Sequence, residues 1–156
     1  RIWEALPQPP SEEERALAAA MKQAAADLGS RLNIRDSRRA FLPVEQALEK
    51  ATAAGSRSPL LRQAERARDL FAVQQDLWRV KIVHASQDVS IPCDRLRHYA
   101  RRFNETAAAE PVQLTILRPR GICLFCGNVC TRRSADLLLE AMNARIISTL
   151  EPPAAP

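Results

Sequence analysis

The stretch Leu77-Trp78-Arg79-Val80-Lys81-Ile82-Val83 decides the fold class. Trp78, Val80 and Ile82 alternate with Arg79 and Lys81, a period of two that predicts a strand. Ala85-Ser86-Gln87-Asp88 reads as a turn. Val89 and Ile91 then continue into a second short strand that Pro92 ends. Further along, Val112, Leu114 and Ile116 alternate with Gln113 and Thr115. Arg118-Pro119-Arg120-Gly121 makes a turn, and Ile122 to Phe125 supply a fourth strand. Between the two strand pairs, Asp94 caps a helix with Leu96, Tyr99, Ala100 and Phe103 on one face. After the second pair, Ser134 caps a helix carrying Leu137, Leu138, Ala141 and Met142, which Pro152 and Pro153 terminate. The order strand–strand–helix–strand–strand–helix implies a small antiparallel sheet with helices on one face.

Upstream of this region the pattern is helical. Ser11 followed by Glu14 is a capping box, and the acidic first turn suits the helix dipole. Leu17, Met21, Ala24, Leu28 and Leu32 follow at helical spacing, so residues 11–32 are expected to form an amphipathic helix. Arg35 to Arg39 reads as a polar connection. Pro43 then stands where a first helical residue belongs and Gly55 where a helix stops, with Val44, Leu48 and Ala51 inside. Ser58-Pro59 opens a third helix on Leu60, Ala64, Ala67 and Phe71, expected to run to about Asp76. The fold class expected is α+β and predominantly helical: N-terminal helices, then a small antiparallel sheet with two helices and a Cys knuckle. The expected organisation is an extended arm over 1–10, a helical region over 11–76, a small α+β region with the Cys cluster over 77–151, and a tail over 152–156.

All four cysteines fall in the second half, at Cys93, Cys123, Cys126 and Cys130. In Cys123-Leu124-Phe125-Cys126-Gly127, two intervening residues let both sulfurs point at one ion, and the glycine permits a tight turn. The string resembles zinc knuckles, over a stretch too short to name a family. Cys130 lies just beyond the turn, and Cys93 can return as a fourth ligand if its strand lies beside 122–125. Four thiolates would close a tetrahedral, structural zinc site. Replacement of one sulfur by His84 or His98, an iron–sulfur centre, disulfides and free thiols stay open. Disulfides would require an oxidising compartment.

Of 23 basic residues only Lys22, Lys50 and Lys81 are lysines, and the net charge is +5. Guanidinium grips carboxylate and phosphate in a bidentate way, so Arg richness suits acidic protein partners or RNA, although a GC-rich genome also favours Arg. Arg95, Arg97, Arg101 and Arg102 share one helix, and Arg118 and Arg120 stand near the Cys cluster. Together they form a candidate nucleic-acid-binding face acting by counterion release. Base-stacking aromatics are scarce, which argues against sequence-specific reading of single-stranded RNA.

No phosphate-binding glycine loop, dinucleotide fingerprint or nucleophile elbow occurs. No apolar run approaches the roughly 20 residues that span a bilayer. A thiol-redox enzyme is disfavoured because a third Cys and Gly127-Asn128 follow the Cys-x-x-Cys pair. The expectation is therefore a non-catalytic structural or accessory subunit of a large multiprotein assembly, stabilised by zinc. The alternative is an RNA-binding protein, such as a ribosomal protein. A chain that starts at Arg1 and is rich in Ala and Arg fits removal of a targeting peptide, hence a mitochondrial setting, otherwise an intracellular one.

Overall fold

Ser11 has extended backbone, and its Oγ accepts the Glu14 N–H at 3.2 Å, which satisfies one orphan donor of the first helix. In this computed structural model, describing residues 9–30, 33–107 and 132–151, five helices follow one another. They are α1 (Glu12–Leu28), α2 (Ile34–Ala53), α3 (Pro59–Ser86), α4 (Cys93–Ala107) and α5 (Arg132–Leu150). The expected first helix stops at Leu28, four residues short of the predicted end.

The described residues contain no strand, so the α+β assignment with an antiparallel sheet is overturned. Residues 77–83, the stretch expected to be a strand, are the penultimate turns of α3, and the boundary placed at Leu77 falls inside that helix. The physical reason is continuity. Leu61, Ala64, Ala67, Leu70, Phe71, Val73, Gln74 and Leu77 bury one face at helical spacing. Extending an existing helix adds one hydrogen bond per residue without a new nucleus. The β-branched Val80, Ile82 and Val83 lower helix propensity only slightly. Residues 89–92 hold no strand either, and the strands expected at 112–116 and 122–125 lie outside the described residues.

Helix α3 ends in a left-handed cap. Asp88 has φ +56°, its N–H donates to Ala85 O at 3.1 Å, and Val89 N–H donates to His84 O at 3.0 Å. The turn expected over residues 85–88 is thus a helix terminus. Gly55 closes α2 in the same way, with φ +78° and bonds from Gly55 N–H to Thr52 O and from Ser56 N–H to Ala51 O. A Cβ there would be strained whatever the space around it.

The polar connection expected at residues 35–39 is instead the start of α2. Asn33 caps it, its Oδ1 accepting the Asp36 N–H at 2.9 Å. Ser37, Phe41, Val44, Leu48 and Ala51 form its buried stripe. Pro43 lies inside the helix rather than at its first position. It withholds an N–H from the carbonyl of Arg39, and both residues are exposed, so solvent reaches the gap.

Helix α3 is the central element and packs on α2, α4 and α5, while α1 packs on α2 and α5. The Phe41 and Phe71 rings stack across the α2–α3 seam, with centroids 4.3 Å apart and planes 9° apart. Side-chain amides tie helix ends to neighbours. Asn143 Nδ2 donates to Leu28 O at 2.8 Å, and Gln63 Nε2 donates to Thr149 O at 2.8 Å and Glu151 O at 2.7 Å. These bonds fill carbonyls left over at the ends of α1 and α5. No helix among the described residues is long and apolar enough to cross a membrane.

Candidate functional site

Helix α4 carries four of the six arginines expected to bind nucleic acid. Its buried stripe is Leu96, Tyr99, Ala100, Phe103 and Ala107. At about 100° per residue, Arg95 and Arg102 fall on one side of that stripe and Arg97 and Arg101 on the other. The exposed crest between them holds Asp94, His98 and Glu105. Arg97 Nη1 donates to Asp94 Oδ1 at 3.3 Å. Arg102 Nη1 donates to Asp76 Oδ2 at 2.9 Å, and Arg79 Nη1 reaches the other oxygen of Asp76 at 3.2 Å. Arg95 and Arg101 are exposed. The helix therefore presents two separated basic flanks with carboxylates between them. Arg118 and Arg120 lie outside the described residues.

Cys93 stands half-buried in the first turn of α4. It is disulfide-bonded; Cys123, Cys126 and Cys130 lie outside the described residues. A sulfur in a disulfide is not a thiolate, so the disulfide and the four-thiolate zinc site are alternative states of Cys93. His84 Nδ1 donates to Val80 O at 2.9 Å within α3, and His98 is exposed on α4. No cluster of three or more His, Cys, Asp or Glu able to hold a metal occurs among the described residues.

Two clefts adjoin α3. The first, about 300 Å³, lies mainly between α3 and α5, reaches Ser37 of α2, and includes Gln74, Trp78, Lys81, Asp136, Glu140 and Asn143. Its polar groups are mostly engaged with one another. Lys81 pairs with Asp136 and sits 4.8 Å from the Trp78 ring centroid. Gln74 Nε2 donates to Leu139 O at 3.3 Å and Asn143 Oδ1 at 3.4 Å. The second, about 510 Å³, runs between α2 and α3. Arg38, Arg39, Arg68 and Arg79 surround it, Glu45 and Asp76 are its carboxylates, and Leu42, Phe71, Ala72 and Gln75 complete the lining.

This second groove was not anticipated from sequence. Arg38 and Arg39 were assigned to a connection, and the signal that would have placed them is Asn33 before Asp36, with Ser37, Phe41 and Val44 at helical spacing. No protein-family model, curated protein or solved structure matches the chain.

Proposed function

We propose that the chain is a non-catalytic accessory subunit that docks on other proteins of a larger assembly. The observation that carries this reading is the arrangement of the arginines. On α4 they divide between two flanks, and Arg97 and Arg102 are tied to Asp94 and Asp76. A phosphate track needs adjacent cations free of carboxylates, because its affinity comes from neutralising consecutive phosphates. Mixed charge beside exposed apolar surface suits protein contacts better. The RNA-binding alternative is the weaker reading on the same ground. The test is the size of the native protein before and after ribonuclease treatment. It is expected to run in a particle larger than one chain, unchanged by the nuclease; collapse on digestion would replace this reading with the RNA-binding one.

The Cys cluster serves in this reading as a staple on α4. The disulfide at Cys93 favours an oxidised staple over the four-thiolate zinc site. Titration of the denatured, unreduced protein is expected to find fewer than four thiols and no zinc. Four thiols together with one zinc per chain would restore the metal site and remove the disulfide.

A further inference from the structure

We infer that the groove between α2 and α3 receives an acidic amphipathic helix from a protein partner, a reading that rests on the accessory-subunit role. An aliphatic side chain of that helix would lie on Leu42 beside the edge of Phe71, and its carboxylates would meet Arg38, Arg39 and Arg68.

Charge complementarity is the first argument. Four guanidinium groups and two carboxylates line the groove, leaving a local excess of two positive charges. Arg79 is held by Asp76 at 3.2 Å, and Arg68 pairs with its exposed neighbour Asp69 at 3.5 Å. Arg38 and Arg39 are exposed and pair with no carboxylate among the described residues. Two adjacent unpaired guanidinium groups are suited to bidentate capture of carboxylates.

The apolar content is the second argument. Leu42 is 47% exposed among the arginines of the groove. An apolar anchor inside a charged rim is the usual build of a protein-binding groove. Gln75 adds a buried acceptor: it is 5% exposed, and its Oε1 has no hydrogen-bond partner among the described residues.

Shape selects a helix. Arg68 and Arg79 stand eleven positions apart on α3, about 16 Å at about 1.5 Å per residue. Two antiparallel or crossing helices leave a trough that a third helix fills by its i, i+3, i+4 ridge. Nucleic acid fits less well, because Glu45 and Asp76 would face its phosphates and the Phe71 ring is already stacked on Phe41.

The test is arginine footprinting with phenylglyoxal on the isolated chain. The probe is a synthetic helix of about fourteen residues, long enough for the groove at about 1.5 Å per residue, with Leu at i, i+4 and i+7 and Glu between them. It is expected to slow modification of Arg38 and Arg39 severalfold and leave Arg101 on α4 unchanged. The Lys-for-Glu counterpart and an oligouridylate are expected to protect neither. No protection by the Glu helix, or equal protection by the oligouridylate, overturns the inference. The sizing experiment separates the two ideas. A ribonuclease-resistant particle with a failed footprint removes this groove alone, whereas a native protein that runs as a single chain removes the accessory role.

Discussion

Gln74 and Gln75 are neighbours on α3, both buried, yet they line different clefts. On the Gln74 side, α5 supplies partners: the Gln74 amide bonds to Leu139 and Asn143, and Lys81 finds Asp136. On the Gln75 side, the one bond is Nε2 to Ser37 Oγ at 3.4 Å, as long as those of Gln74, and the arginines beyond it outnumber their carboxylates; the Oε1 of either glutamine has no hydrogen-bond partner among the described residues. The first flank has polar groups that complete the fold. The second has polar groups that the fold does not use, which is where binding surfaces are found.

Substitutions on the two flanks should therefore separate stability from binding. The largest effect is expected at the seam both flanks share. Phe41 is fully buried and stacked on Phe71, so Phe41→Ala should cost about 3–5 kcal/mol, read as a lowered urea midpoint. A loss under about 1 kcal/mol would mean that the seam relaxes freely and that the groove has no rigid floor.

Next is the flank that completes the fold. Asn143→Ala removes the 2.8 Å bond to the Leu28 carbonyl at the end of α1, and should cost about 1 kcal/mol in the same urea titration. Gln74→Met keeps the volume and removes two bonds to α5, long at 3.3 and 3.4 Å, together with an oxygen that has no partner among the described residues, and should cost about 0.5–1 kcal/mol. Gln75→Met loses a single bond of that length, to Ser37, and likewise removes an unpartnered oxygen, so its change should stay within about 0.5 kcal/mol. Equal losses at the two positions would erase the contrast between the flanks.

The parts of the fold legible in the sequence were those fixed by local chemistry. The Ser11 cap, the Gly55 stop and the Pro59 start all stand where the chain places them. So do the buried faces of α1 and α4, except for the end of α1. What was illegible depended on neighbours. Trp78, Val80 and Ile82 alternate as a strand would, but Leu70, Val73, Gln74 and Leu77 had already committed the backbone to a helix. Trp78 and Val80 pack partly on the core, while Ile82 and Val83 are left 48% and 53% exposed. The same holds for the candidate sites. Arginines on α4 could be counted, but their division into two flanks required the buried stripe, and the tie to Asp76 required α3 beside α4. The groove joins Arg38 and Arg39 to α3 residues from Arg68 onward, a juxtaposition that no local pattern encodes.

The smallest stability effect is expected where the binding effect is largest. Replacing Arg38 and Arg39 together by Glu lowers the net charge by four, from +5 to +1. Both side chains are exposed and unpaired, so no contact within the fold is lost. They lie in the second turn of α2, close enough to its N-terminus for negative charge to be tolerated or slightly favoured by the dipole. The urea midpoint should therefore correspond to a change of less than about 0.5 kcal/mol of either sign. The same double variant should lose the protection that the Glu-bearing helix gives Arg68. A destabilisation well beyond that range would show that these two guanidinium groups help hold α2 on α3, and the flank that now looks unused by the fold would be as structural as the one facing α5.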